Sequence, residues 1–388
     1  MFQLPEYAQY IITIALAFLV SFLVTPVVRR LALKAGVLDV PDNDRRIHKI
    51  PIAKMGGIAI AIGFFAVLIL NVVLKQFGIV KLMPPNPQLT GLVIGLLLIM
   101  VMGFLDDLFE IHTVLKFAFQ FLAAGIVIFS GTQISSFTNP FMPTGWIALN
   151  PIVSVVLTLI WIVGITNAIN FIDGLDGLAG GVSAISLLSI FVISIIMGTR
   201  DMLSVSILVV ALAGAILGFL PYNINPAKIF MTDIGSNFIG FALAVISIQG
   251  ALKSYAAVAL AIPILAFGIP LFDVAFAIVR RVKHKRKITD PDRGHLHHRL
   301  LDLGFSQKQV VFILYIVSAL MGGSAIVFIM FMNKRTSGWD SIGAIILILI
   351  VSVLLTIGVK FISYLSTKKD EAQDQDSEPI GGDSIEKN

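Results

Sequence analysis

Long apolar runs separated by short polar stretches dominate this chain, and the runs have the length of membrane crossings. Crossing ~30 Å of hydrocarbon takes about 20 apolar residues in a helix. Eleven such segments are centred near residues 18, 64, 97, 122, 160, 188, 211, 243, 267, 320 and 352. Helices satisfy their own backbone groups inside lipid. The pattern therefore predicts an all-α fold, a polytopic integral membrane protein of about eleven transmembrane helices. Ala8 to Val28 lacks a basic leader and a small-residue cleavage site and exceeds the length of a signal-peptide core, so it is expected to remain as the first span. The integral domain is expected over residues 1–365. A tail over 366–388, rich in Asp, Glu, Gln, Ser and Gly, is too poor in apolar residues to fold.

Alternating crossings bring five polar stretches to one membrane face. These are the loop around Lys49, the pair Asp106-Asp107, the segment Asn167 to Asp176, the segment Asn223 to Ser236, and the basic run that ends in His295, His297 and His298. The connections on the other face are bland, and Gly131 to Asn150 contains no charged residue. A pore or carrier would more often place ionisable groups near the bilayer midplane and show symmetry between its halves, and apart from Asp273 neither feature is present. An ion-coupled transporter of an anionic lipid or nucleotide sugar is the competing class of function.

Composition agrees with the pattern. At 57% hydrophobic and 13% charged residues, with a mean hydropathy of +0.94, no water-soluble fold hides the apolar surface. Of the 28 Lys and Arg residues, only Lys75, Lys81, Arg200, Lys253, Lys334 and Arg335 fall on the bland side, which leaves 22 on the side of the polar stretches, in its loops or in the C-terminal tail. Positive charge marks the inner face. The expected location is the plasma membrane, with the polar cleft facing the cytoplasm, where cationic residues meet anionic lipid head groups. Cysteine is absent, which removes disulfides, iron–sulfur clusters and thiol catalysis.

The polar stretches carry specific chemistry. Asp106 and Asp107 follow the apolar run Leu92 to Leu105, where two carboxylates are solvated helix-end charges, or else supply a metal ligand or a base. Lys116 and Gln120 lie one turn apart on the next helix. Asn167, Asn170, Asp173 and Asp176 recur every three positions, so a tight helical end would align them on roughly one face, the alternative being Asx turns in a loop. Asn223, Asn225, Lys228 and Asp233 precede the eighth span, where free N–H groups favour an anion and where Thr232, Asp233 or Ser236 would also serve as a plain cap. His295, His297, His298 and Arg299 supply hydrogen bonds to phosphate oxygens or imidazole metal ligands. The carboxylates suit a hard cation, Mg²⁺ with Mn²⁺ as its alternative, better than zinc.

Taken together, the Lys49 to Gly57 segment ending in Met55-Gly56-Gly57, the Asp106-Asp107 pair with Lys116 and Gln120, Asn167 to Gly181, Asn223 to Ser236 and His295-Leu-His297-His298 resemble the polyprenyl-phosphate N-acetylhexosamine-1-phosphate transferase family. The resemblance implies a membrane fold of ten or eleven helices with a cytoplasmic-face active-site cleft, commonly as a homodimer. It also implies transfer of a sugar-1-phosphate from a UDP-sugar to a lipid phosphate, with membrane lipids and no nucleic acid as partners. Lysine at 54 before Met55, and the leucine within the histidine group, depart from the branch that transfers phospho-N-acetylmuramoyl-pentapeptide. The histidine group, with Asp273 before Arg280-Arg281, is similar to the branch that uses UDP-N-acetylglucosamine (UDP-GlcNAc) and undecaprenyl phosphate, including the starter of wall teichoic acid. By this resemblance Asp106, Asp107 and Asp233 are catalytic, with Asp233 and Asp107 on the metal. Lys49, Lys116, Asn167, Asn170, Asp173, Asp176, Asn223, Phe230, His295, His297, His298 and Arg299 would bind substrate, Phe230 by stacking on uracil.

Overall fold

The computed structural model describes residues 5–41, 50–78, 86–138, 146–198, 200–251 and 300–333. Among them the chain forms helices α1 (Glu6–Ala35), α2 (Gly57–Gln76), α3 (Pro87–Phe109), α4 (Thr113–Phe129), α5 (Pro151–Ile172), α6 (Leu178–Met197), α7 (Arg200–Asn223), α8 (Thr232–Ala251) and α9 (Gln307–Asn333). Nine of the eleven expected spans are thus described helices, while the segments centred near 267 and 352 lie outside the described residues, as does the tail. Eight of these helices are long and apolar enough to cross a membrane. The remaining one, α4, has 17 residues and so rises about 26 Å, at the lower limit for a crossing. The fold is that of a polytopic helical membrane protein.

Local sequence sets several helix ends. Asn86 and Asn150 each accept a bond from a backbone N–H of the first turn, at 2.7 Å from Leu89 and 2.9 Å from Ile152, and each precedes a proline at the first helical position. Two small antiparallel hairpins lie in the connections, and the apolar pattern gave no sign of them. β1 (Leu38–Asp39) pairs with β2 (Ile52–Ala53), Leu38 opposite Ala53, and β3 (Ser136–Thr138) pairs with β4 (Trp146–Ala148), Phe137 opposite Ile147.

The most enclosed span, α8, is also the least apolar. That inversion is expected of a helix that faces protein on all sides, since lipid contact is what demands continuous hydrophobicity. It packs between α3 and α5 and also touches α2, while α7 is held by α1, α2 and α6. On the peripheral helix α1, Ile11, Leu19, Leu23, Val27 and Leu31 point outward, a stripe suited to hydrocarbon.

Alternating direction brings the ends of α1, α3, α5 and α7 and the starts of α2, α4, α6 and α8 to one end of the bundle. The far end is tied by neutral groups. The Ile134 amide donates to the Thr158 hydroxyl at 2.9 Å, Gln88 to the Gly131 carbonyl at 3.1 Å, and Ser194 and Ser206 share a bond of 2.7 Å.

Backbone contact fixes the near end. The amide of Phe230 donates to the Ala53 carbonyl at 2.9 Å, and its own carbonyl accepts from Gly56 at 2.8 Å. Gly57 donates to Met231 at 3.1 Å. A methyl group added to Gly57 would lie 2.2 Å from the Gly235 nitrogen, and one added to Gly103 would lie 2.6 Å from the Ile234 Cα. Glycine at these two positions lets α2 and α3 meet the first turn of α8 backbone to backbone. Overpacking a tight contact typically costs about 1–3 kcal/mol, so Gly57→Ala is expected to lower the melting temperature of the purified protein. At Gly164 an added methyl meets nothing within 4 Å. Gly164→Ala should gain about 0.5–1 kcal/mol through the unfolded chain, and a thermal melt of both variants checks the contrast.

Candidate active site

A turn of three residues, Glu110 to His112, joins α3 to α4 and brings Asp106 opposite Lys116. Glu110 takes the left-handed conformation there (φ 49°), and the His112 ring accepts a bond from the Val114 amide at 3.3 Å to start α4. The Lys116 ammonium donates to Asp106 Oδ2 at 2.5 Å and to Asp233 Oδ2 at 3.0 Å, so one cation links α3, α4 and α8. Asp106 is buried, whereas Lys116 and Asp233 are half-buried.

Neutral groups complete the arrangement. Asn170 donates to Asp233 Oδ1 and to Ser236 Oγ at 3.0 and 2.9 Å, which connects α5 to α8. Below it, Gln120 and Asn167 exchange amide bonds of 2.7 and 3.4 Å, and Gln120 also donates to Asn237 at 3.2 Å. Asp107, next to Asp106 but turned toward α8, accepts from the Thr232 hydroxyl at 2.5 Å. Asp106, Asp107, Lys116, Asn167, Asn170 and Asp233 therefore converge.

The series Asn167 to Asp176 divides beyond the end of α5. Asp173 ends the helix beside the acidic group, but Asp176 lies past the break and accepts from Asn225 at 2.9 Å and from the Ala227 amide at 3.0 Å. Asn223 is buried, taking a bond from the Gly177 amide at 3.1 Å and donating to the Ile229 carbonyl at 3.0 Å. These two residues hold the loops that carry the site. Phe230 is half-buried at the seam with Ala53 and Gly56. Lys49, His295, His297, His298, Arg299 and Asp273 lie outside the described residues.

The family model described as glycosyl transferase family 4 matches residues 89–251, which span every carboxylate and amide of this network. A protein of Bacillus subtilis (strain 168) named "Probable undecaprenyl-phosphate N-acetylglucosaminyl 1-phosphate transferase" is 38% identical over 350 residues, covering 88% of this chain and 91% of that one. The chain belongs to glycosyl transferase family 4. Within the family, a decaprenyl-phosphate N-acetylglucosaminephosphotransferase of Mycolicibacterium smegmatis is 33% identical over 376 residues, covering 92% of this chain and 89% of the relative. The undecaprenyl-phosphate alpha-N-acetylglucosaminyl 1-phosphate transferase of Escherichia coli (strain K12) is 29% identical over 301 residues, or 76% and 77% of the two chains.

Several residues of this family member escaped the pattern of the sequence. Asn237 lies one turn after Asp233 and donates to its carbonyl at 2.9 Å. An amide inside an apolar span was its available signal. Tyr315 donates to the Gly177 carbonyl at 2.6 Å, and Asn225 donates to Gln307 at 2.6 Å, so α9 clamps the loops on either side of the site. Arg29 donates to the Lys228 carbonyl at 2.9 Å, and in sequence it is indistinguishable from the other inner-face cations. A signal for Tyr315 is hard to find, because an aromatic residue in a span reads as lipid-facing.

Asp173, just beyond α5, is pushed up to about 8 by burial first and then by the negative charges of Asp233, Asp107 and Asp176. Its surface is only half-buried, so the neighbouring carboxylates matter alongside desolvation. An unfolded chain ionises an aspartate near its ordinary value of about 3.9. The neutral folded form therefore adds stability that is full below that value and disappears as pH rises through about 8. Asp173→Asn removes this dependence. Its melting temperature relative to the parent is expected to climb steadily between pH 5 and pH 8, about the window set by those two values, as measured by thermal melts of the ligand-free protein.

Proposed function

We propose that this chain transfers N-acetylglucosamine-1-phosphate from UDP-GlcNAc to undecaprenyl phosphate and releases UMP. The observation that carries the reading is the Lys116 bridge between Asp106 and Asp233 at the span ends, inside the region matched by the family. The names of the Bacillus subtilis and Escherichia coli relatives supply the sugar and the lipid. The reaction joins two anions, since an oxygen of the lipid phosphate attacks the β-phosphorus and the bond to the α-phosphate oxygen breaks, leaving with UMP. Cationic and hydrogen-bonding groups must offset that charge as it develops.

In this reading Lys116 pairs with the phosphates when substrate enters, and Asp106, which it releases, orients the lipid phosphate and takes its proton. Asn170 keeps Asp233 aligned through its bond of 3.0 Å. Asn167 and Gln120 hold α5, which carries Asn170, in register with α4 and α8 from below. Phe230 offers a ring to uracil, and Lys49 with the His295 to Arg299 element supplies contacts to the nucleotide and pyrophosphate. Asp173, Asp176 and Asn223 border the nucleotide pocket, the last two by shaping its loops.

Mg²⁺ fits the donor set. It is usually held by one or two carboxylates, several waters and the substrate phosphates, not by an all-protein cage. Among the described residues no cluster of three acidic or imidazole groups forms such a cage. Asp233 and Asp107 are hard oxygen donors beside the point where phosphates must meet Lys116, and the Asp107 Oδ1 takes no hydrogen bond among the described residues. Bound there, Mg²⁺ would supply charge neutralisation at the transferring phosphate. The excess of basic residues on the side of the polar stretches supports a cytoplasmic site. The lipid-linked sugar would open a cell-surface glycopolymer such as wall teichoic acid, and the enzyme would work as a homodimer.

Purified protein given UDP-GlcNAc, undecaprenyl phosphate and Mg²⁺ is expected to release UMP, to stop on chelation and to recover when Mg²⁺ returns. Asp233→Asn should lower the rate by about 100-fold or more, the scale of losing a group that organises transition-state charge. UDP-N-acetylmuramoyl-pentapeptide should give no lipid product. Parent-level UMP release from Asp233→Asn would remove Asp233 from the reaction, and turnover of the muramoyl nucleotide would move the chain to the peptidoglycan branch.

A further inference from the structure

Thr232, the first residue of α8, has a φ of 59°. A branched residue is a backbone outlier there, and glycine would take the conformation freely. Met55, also left-handed at 69°, has an unbranched side chain. The Thr232 hydroxyl explains why a strained residue stands at this position. It reaches Asp107 Oδ2 at 2.5 Å and the Met231 carbonyl at 2.7 Å. A hydroxyl donates one proton, and the carboxylate is the stronger acceptor. Thr232 is also tied in on its other side, since its carbonyl accepts from Ser236 Oγ at 3.0 Å, and Ser236 accepts from Asn170, the partner of Asp233. The residue thus joins Asp107 on α3 to the Asn170–Asp233 pair through one helix start.

We infer that Thr232 is a positioning residue, whose hydroxyl holds the Asp107 carboxylate in its working orientation at the expense of backbone strain. The inference rests on the reading of Asp107 as part of the transferase site.

Three substitutions separate strain from bonding. Thr232→Ser keeps the hydroxyl, Thr232→Val keeps the branched shape and the strain, and Thr232→Gly relieves the strain and loses the bond. In the UMP-release assay, Thr232→Val and Thr232→Gly should lose roughly tenfold to a hundredfold in kcat, the scale of a misplaced catalytic group. KM for UDP-GlcNAc should stay within about twofold and Thr232→Ser within about threefold of the parent kcat, which separates a positioning role from lost binding. Thr232→Gly should melt above Thr232→Val. A readout independent of activity is a melting cycle with Asp107→Ala, in which the Thr232→Val and Asp107→Ala shifts combine non-additively because the two groups are bonded. Full kcat in Thr232→Val beside an inactive Asp107→Ala would overturn the inference, as would additive melting shifts. Absence of UMP release from well-folded parent protein would instead overturn the transferase reading, and the melting cycle would then decide alone whether Thr232 holds Asp107.

Discussion

The Lys116 ammonium, shared between Asp106 and Asp233, is the interaction on which the near end of the bundle depends. Each of its three groups comes from a different helix, and without the cation the two carboxylates would repel each other where burial weakens the screening by water. Residual exposure of Lys116 and Asp233 moderates both the attraction and the repulsion. It also leaves the pair accessible to an anionic substrate, which a fully buried pair would not be.

Close backbone packing and neutral amides make that bridge possible. Gly57 and Gly103 admit the first turn of α8 at distances that a side chain would forbid. Asn170, Gln120, Asn167 and Asn237 then fill the enclosed space with bonded amides, which orient the carboxylates without adding charge. Buried polar groups of this kind stabilise when each finds a partner and cost heavily when one does not. The low hydropathy of α8 follows from the same arrangement, because its neighbours satisfy polar side chains that lipid could not.

Much of this was legible in the chain. Span length and alternation predicted the described helices and gathered three of the polar stretches, Asp106-Asp107, Asn167 to Asp176 and Asn223 to Ser236, at one end, because membrane thickness fixes helix length and the backbone leaves little other choice. The spacing of Asn167 and Asn170 aligned them as expected. It misplaced Asp176, because α5 ends at Ile172 and the chain turns toward the Asn225 loop. Asn223 read as a ligand in sequence and is buried with both polar ends bonded to loop backbone. Tertiary partners that reach across more than a hundred residues, such as Tyr315 on Gly177 or Thr232 on Asp107, leave no local pattern to read. The hairpin of β1 and β2 is likewise set by its seam with Ile229 and Phe230 and not by strand periodicity.

A melting cycle on Lys116 and Asp233 tests this account most directly, since it reads the bridge without any assumption about substrate. Lys116→Met leaves the two carboxylates facing each other and should lower the melting temperature, and adding Asp233→Asn to that variant should recover much of the loss by removing one of the charges. A Lys116→Met protein that melts with the parent, or a double variant that falls by the sum of the two single changes, would contradict it.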